Sequence, residues 1–459
     1  MPIQFKTKFK WDTETSPNET FQRPLHEVIQ LIRHLPNPYI GNKKKLLRSL
    51  HNFMQNNNLK FDTFLDAFTG SGVVGLFMKA MGKRVIANDL LACSYLNAVA
   101  LIENSGTTLS PDQIGSILNK NTLESDFVQK NWMSTSNTTQ LRRRFTENEA
   151  IQLDHIRSNI KNLSQFTAQS IGLTANSLVC MRMPFGFADR SIDIYNHRRK
   201  QIEKYGKDSG NHDRRIGIYY DDNLDLDFKK WFPKYVGSIN KAVLNNSQIV
   251  NDAKIQHALA FFGIQNYLYH EAFKGGRLNN GQILKRVDTR KEQDGVMRFT
   301  QEDVQKMSFA ELSSVGKCSC IATNCDVIDL LQSGFVDVEC GYFDPPYGGS
   351  SSDYLSMYQF FEEFIYEEQI ENLPHFKSMD RFSKKTDYEK NFLDLLDAAK
   401  NIPIWVFSYN DKSWQGLEHI ISLIKKFRGH VVSEIVDYKY KYRSKNNAAG
   451  KEYLIAATV

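Results

Sequence analysis

With 459 residues, the chain is about three times the length of a typical domain of roughly 150, which excludes a single small module. Hydrophobic residues at 41% and charged residues at 24% exclude wholesale disorder, and 12 Pro with 26 Gly exclude a collagen-like chain. The net charge of +6, from 58 basic and 52 acidic side chains, permits a polyanionic partner without demanding one, so charge placement matters more than the total. Six Cys are too few for a disulfide scaffold, and no apolar run approaches the roughly 20 residues of a membrane span. A reducing cytoplasm without membrane insertion is the expectation.

In chain order, Leu25, Val28, Ile29, Ile32 and Leu35 recur at helical spacing, and Pro36-Asn37-Pro38 ends the pattern. A second helical stretch follows over Lys44 to Met54. The spacing then predicts a strand over Phe61 to Phe68, a glycine turn at Thr69-Gly70-Ser71-Gly72, a helix over Val73 to Met81, and a strand over Arg84 to Asn88. Strand, turn, helix and strand in about thirty residues form a βαβ unit, which implies a parallel sheet with a right-handed crossover. The rhythm returns near residue 321, with strands at Cys320 to Thr323, Val338 to Phe343 and Ile404 to Ser408. Val432 to Tyr440 and Glu452 to Val459 read as a closing hairpin, which predicts an antiparallel edge. The fold class is therefore α/β, a doubly wound Rossmann-like sheet. Residues 1–105 and 318–459 form a discontinuous catalytic domain. Residues 106–317, where the rhythm is absent, form an inserted, mainly helical or irregular domain.

Asp66-Ala67-Phe68-Thr69-Gly70-Ser71-Gly72-Val73-Val74-Gly75 places glycines where a strand opens into a helix. A Cβ there would keep the backbone from a ligand, and the helix start offers free N–H groups. A plain tight turn is the alternative. Asp89, at the end of the next strand, can accept both hydroxyls of a ribose, or can simply cap a helix. Together these features point to an adenosine-containing cofactor without saying which.

Asp344-Pro345-Pro346-Tyr347 follows the apolar strand Gly341-Tyr342-Phe343. Two prolines stiffen the turn and remove two N–H donors, so carbonyl acceptors stand beside a carboxylate and an aromatic ring. Such a corner suits an amino group on a planar base, with the Tyr face available for stacking. The plain alternative is a rigid turn with a surface Tyr.

On these residues the chain resembles the D12 class of S-adenosylmethionine-dependent DNA adenine N6-methyltransferases, typified by the Dam methylase. Pro38-Tyr39-Ile40-Gly41-Asn42-Lys43 resembles the class's amino-terminal cofactor segment, with Asn42 where a second Gly is usual. Phe68 to Gly72 matches its Phe-x-Gly-x-Gly loop, Asn88-Asp89 its acidic strand end, and Asn324-Cys325-Asp326 the segment that contacts the cofactor adenine. Asp353-Tyr354, Tyr358-Gln359-Phe360, Phe407 to Asn410, and Arg443 to Ile455 also fit. The resemblance covers roughly half of the residues.

It implies a methyl transfer in which Asp344 and the Pro345 carbonyl accept the hydrogens of an adenine amino group, Pro346 stiffens the turn, and Tyr347 stacks on a base flipped from duplex DNA. It further implies that Tyr39, Gly41, Lys43, Asp66, Phe68, Gly70, Gly72, Asp89, Asp326 and Asp344 form the S-adenosylmethionine site. Lys43 adjoins Lys44 and Lys45, so a solvated basic helix start is its alternative. The resemblance also implies that residues 106–317 hold a target-recognition domain with scaffold helices, and that the enzyme is either an orphan methylase or one paired with a cognate restriction endonuclease.

Within the insertion, residues 182–216 hold nine basic residues against five acids, and 274–291 hold six against one. Basic residues among Tyr, Asn and Gly suit phosphate and base-edge contacts, which makes Arg182, Arg277, Asn279 and Asn280 candidates for touching DNA, against a solvated charged surface. Cys318, Cys320 and Cys325 lack a fourth metal ligand nearby and read as buried thiols; His270 reads as a packed helix residue. Four readings compete: adenine methylation of duplex DNA, methylation of cytosine N4 or of RNA adenine, dinucleotide-dependent redox chemistry, and a non-catalytic nucleic-acid-binding module. Asp rather than Ser at 344 favours adenine, and the redox reading leaves Asp344 to Tyr347 without a task.

Overall fold

The interior strand β1 (Thr63–Asp66) is buried along its whole length and pairs in parallel with both β2 (Arg84–Asn88) and β4 (Cys340–Phe343). This computed structural model describes residues 24–35, 43–120, 124–133, 145–181, 226–245, 320–333, 336–346, 354–373, 381–382, 384–411, 413–439 and 449–459. β3 (Cys320–Thr323) lies beside β2, and β5 (Ile404–Asn410) beside β4, both in parallel. β7 (Ala449–Thr458) runs antiparallel to β5 and to the edge strand β6 (His430–Lys439). The order is β3-β2-β1-β4-β5-β7-β6. The antiparallel component is present as predicted, but β7 occupies an interior place and β6 forms the edge.

The strands are short apolar runs because both faces are covered, as parallel sheets require. Alternate side chains enter different cores: Phe64, Val85, Tyr342 and Val406 face one, while Leu65, Ile86, Phe343 and Phe407 face the other. The second core is closed by α10 (Val327–Gln332), α12 (Tyr388–Ala398) and α13 (Leu417–Ile424) through Ile328, Phe392, Leu395, Ile420 and Leu423.

The first core is covered by α1 (Leu25–Arg33), α2 (Leu47–Asn56), α3 (Val73–Ala80) and α4 (Ala92–Ala98). α1 buries Val28, Ile29 and Ile32, the spacing read from the sequence. α4 continues into a single π-helical stretch, Val99–Glu103. The fully buried Lys79 anchors it, with Nζ donating to Ile102 O at 2.6 Å and Asn104 O at 2.7 Å.

Among the described residues, five helices between positions 106 and 317 join the same core: α5 (Pro111–Leu118), α6 (Phe127–Trp132), α7 (Glu147–Lys161), α8 (Phe166–Cys180) and α9 (Phe228–Leu244). Capping boxes start α5 at Ser110 and α7 at Thr146, pairing each hydroxyl with the N3 backbone and each N3 side chain with the cap N–H. These helices clasp α11 (Tyr354–Tyr366), which follows the β4 corner. Trp132 Nε1 donates to Glu363 Oε2 at 3.0 Å. Arg157 donates to Phe364 O at 2.6 Å and Ile365 O at 2.9 Å, and pairs with Glu367 at 2.7 Å. No described helix is long and apolar enough to cross a membrane.

Arg157 is nearly fully buried, so its removal strands two carbonyls and a carboxylate. Arg157→Ala is expected to cost about 3 kcal/mol of stability. Urea denaturation followed by both far-UV circular dichroism and tryptophan fluorescence checks this, and the two signals should move together because the helix belongs to the sheet's own core.

Candidate active site

β1 lies between β2 and β4, so the chain leaves the sheet in opposite directions on its two sides and a crevice opens at the carboxyl ends of β1 and β4. The glycine turn forms one wall. Thr69 N–H donates to Asn88 O and Gly72 N–H to Thr69 O, each at 2.9 Å. Gly70 at φ 51° and Gly72 at φ 74° occupy the left-handed region, which explains glycine at both positions. At Gly75 the reason is space: a Cβ would lie 2.6 Å from Ile102 Cδ1 and 3.1 Å from Asp66 Oδ2.

Asp66 ends β1 and is buried, with Oδ2 accepting from Gly75 N–H at 2.9 Å. Burial pushes its carboxyl up to about 8, against the Gly75 hydrogen bond, and the nearby charges of Asp344 and Asp89 add to the rise. Asp89 accepts from Gly70 N–H at 2.8 Å through Oδ2 and from Leu91 N–H at 2.9 Å through Oδ1. It therefore closes the glycine turn and starts the descent into α4. Burial raises Asp89 to about 6 despite those two donors. The Ser94 hydroxyl is a third donor to this carboxylate.

The ends of β2 and β3 are tied together by side chains. Asn88 Nδ2 donates to Ala67 O at 3.3 Å and Cys325 O at 3.1 Å, while its Oδ1 accepts from Thr323 Oγ1 at 2.8 Å. Asn324 Nδ2 donates to Asp89 O at 2.9 Å and Leu90 O at 2.8 Å. Asp326 caps α10, accepting from Ile328 N–H at 2.9 Å, and pairs with Arg381 Nε at 2.9 Å. Burial raises its carboxyl, and Arg381 opposes the rise. Phe382 meets Phe68 edge to face at 5.7 Å, so consecutive residues 381 and 382 bridge Asp326 and Phe68.

Asp344 stands at the end of β4 with 17% of its side chain exposed, so a group entering from solvent can reach it. Its Oδ1 meets Lys43 Nζ at 3.2 Å and accepts from Ser408 Oγ at 2.9 Å. Lys43 is buried and also lies 3.6 Å from Glu452 Oε1 on β7, which removes the solvated-helix alternative for that lysine. Burial lifts Asp344 to about 6, Lys43 pulls the other way, and Glu452 adds to the rise. Pro345 is buried and Pro346 half-buried. Close by, the Tyr388 and Tyr409 hydroxyls bond to each other.

Lys43, Asp66, Phe68, Gly70, Gly72, Asp89, Asp326, Asp344, Pro345 and Pro346 thus all fall on the carboxyl side of the parallel strands or the segments that cover it. Tyr39, Gly41, Tyr347, Arg182, Arg277, Asn279 and Asn280 lie outside the described residues. The sequence reading gave no role to Ser408, Glu452, Asn88, Arg381 or Phe382. Glu452, a lone acid at an inward position ahead of an apolar run, carried a readable signal; Arg381 and Phe382 carried none.

The value for Asp66, about 8 when folded, lies above the unstructured 3.8, so the native state holds a proton that the unfolded chain has lost over that interval. Its stabilising contribution is full below the lower value and disappears as pH climbs through the upper one. Asp66→Asn stays neutral throughout, and is expected to flatten the pH-dependent fall in stability by up to about 1.4 kcal/mol per pH unit at its steepest. Asp89 and Asp344 act in the same sense, so urea unfolding of parent and variant at matched pH isolates the Asp66 part.

Residues 39–205 match the family described as D12 class N6 adenine-specific DNA methyltransferase. The chain is also similar to the Type II methyltransferase M2.HphI of Haemophilus parahaemolyticus, with 22% identity over 413 residues that cover 89% of this chain and 93% of the relative. The family match takes in the amino-terminal segment, the glycine turn and Asp89, and the sheet order places the Asp-Pro-Pro corner across the same crevice. These findings together support an adenine-specific DNA methyltransferase, with the likeness to the D12 class carried by residues 39–205.

Proposed function

We propose that the protein transfers the methyl group of S-adenosylmethionine to N6 of an adenine flipped out of duplex DNA. The observation that carries this reading is the Asp344 carboxylate, tethered through Oδ1 by Lys43 and Ser408 beside two prolines, on the same crevice as the glycine turn.

The residues present fit the cofactor. Left-handed Gly70 and Gly72 supply a turn that side chains would strain, and Asp89 and Asp344, each at about 6, give the crevice negative charge suited to a sulfonium cation. Gly70, Gly72 and Phe68 would line its site with Tyr39 and Gly41, Asp89 would take the ribose, and Asp326 the adenine. Asp89 and Asp326 would do so with acceptor positions left over from the N–H donors they already hold. Bound there, the cofactor supplies a methyl group already activated by its positive sulfur.

The protein's own part is positioning. Adenine's amino nitrogen is a poor nucleophile because its lone pair is delocalised into the ring. The Asp344 carboxylate and the Pro345 carbonyl accept its two hydrogens, drawing the nitrogen toward tetrahedral geometry. Pro346 holds the turn rigid and Tyr347 stacks on the base, whose extrusion from the duplex costs a few kilocalories per mole.

Target recognition is assigned to residues 106–317, in which the described helices α5 to α9 act as scaffold and Arg182, Arg277, Asn279 and Asn280 contact DNA. The name of the relative, a Type II methyltransferase, supports a place in a restriction-modification pair with a cognate endonuclease.

Methyl transfer from labelled cofactor to duplex DNA, followed by nucleoside analysis, tests the reading: N6-methyladenine is expected, whereas methylcytosine or label only in RNA overturns it. Asp344→Ala is expected to lower turnover by at least about 10²-fold with the fold retained. Tyr347→Ala should weaken the hold on the extruded base by about 1–3 kcal/mol, read as weaker binding of 2-aminopurine-substituted target DNA and as brighter emission in the complex, because the extruded analogue loses the ring that stacks on it and quenches it.

A further inference from the structure

Two residues without an assigned task meet the catalytic carboxylate from neighbouring strands. Ser408 on β5 pairs across the ladder with Leu454 on β7, and Asn410 with Glu452, so Ser408 and Glu452 sit at one end of adjacent antiparallel strands. The Ser408 hydroxyl donates directly to Asp344 Oδ1 at 2.9 Å. Glu452 reaches Asp344 indirectly: its Oε1 lies 3.6 Å from Lys43 Nζ, which is itself 3.2 Å from Asp344 Oδ1. Both the cation and the hydroxyl fall on Oδ1.

We infer that Glu452 is a positioning residue that divides the Lys43 ammonium with Asp344, so that Lys43 and Ser408 fix Oδ1 in place while Oδ2 remains basic enough to receive the proton of the methylated amino group. This rests on the methyl transfer proposed above. In that step the N6 lone pair forms the new N–C bond and the C–S pair leaves with sulfur. The nitrogen, now carrying a positive charge, then loses one proton to Asp344 Oδ2, and the N–H pair returns to nitrogen. Held by Lys43 alone, the carboxylate would be a weaker acceptor; the second carboxylate draws part of that charge away.

The groups facing Asp344 are few enough to make the sign clear. Lys43 comes from the segment ahead of α2, Asp66 from β1, Tyr342 from β4, Tyr388 from α12, Ser408 from β5 and Glu452 from β7. Glu452 pushes the Asp344 carboxyl up, whereas Ser408 and Lys43 pull it down. Loss of Glu452 and loss of Ser408 should therefore act in opposite directions, which a general loosening of the fold would not do.

The experiment is the pH profile of kcat for DNA methylation by the full chain and its variants. In Glu452→Gln the acidic limb is expected to move to lower pH by on the order of one unit, with the plateau reduced several-fold; in Ser408→Ala the limb moves to higher pH. Glu452→Asp, with its carboxylate drawn back from Lys43, should fall between parent and Glu452→Gln, and it decides the direction if the Gln variant does not fold. Limbs that stay in place, or that shift the same way in the Glu452 and Ser408 variants, overturn the inference. Absence of methyladenine with the parent protein would instead remove the proposed reaction itself, so the two failures are distinguishable.

Discussion

The constraint on which the site depends is the placement of β1 between two parallel partners that come from distant parts of the chain. That arrangement brings the glycine turn and the Asp-Pro-Pro corner to one crevice, and it also crowds Asp66, Asp89 and Asp344 together. Carboxylates forced together and away from water must be protonated, paired or solvated by protein dipoles. All three solutions occur here. Asp66 is lifted to about 8 and so holds its proton at neutrality, Asp89 rests on two backbone N–H groups, and Asp344 is met by Lys43. Asp344 and Asp89 are both half-buried, whereas Asp66, the one that keeps its proton, is buried.

Much of the sheet was legible because buried parallel strands leave little choice of composition. β2 and β3 match their expected bounds, and β1 and β4 fall within longer apolar stretches whose ends are taken by turns. Thr69, for example, lies beyond β1 because its N–H turns toward Asn88 O. The helices between 106 and 244 were not legible as part of the same core. Their contact faces use polar side chains, among them Arg157 and Asn159, which hydrogen-bond inward and thus read as solvent-facing in a hydrophobic pattern. Glu362 misleads in the same way: it is buried and accepts from Ala92 N–H at 2.9 Å and Cys93 N–H at 3.1 Å, capping α4 from a different element.

The site was legible through residue types whose chemistry is narrow and opaque where one type serves several ends. Glycine at 70 and 72 answers to backbone conformation, and the structure gives both a positive φ. Asp89 and Asp326 could be placed at strand ends by spacing, yet each also acts as a local cap, a task that spacing alone does not separate from ligand contact. Ser408 and Glu452 lay in segments that fit the class, and Glu452 stood out as an acid ahead of an apolar run, but a linear pattern does not tell that they converge on Lys43 and Asp344 from other strands.

The interior position of β7 has a consequence for how the enzyme comes into being. This strand is the last in chain order, but it fits between β5 and β6 and delivers Glu452 to Lys43, a residue from near the opposite end of the polypeptide. During synthesis the strands that precede it can associate first, while the place beside β5 stays unfilled until β7 itself has been made. The Lys43–Glu452 contact would then form only after the parallel part of the sheet is already in place.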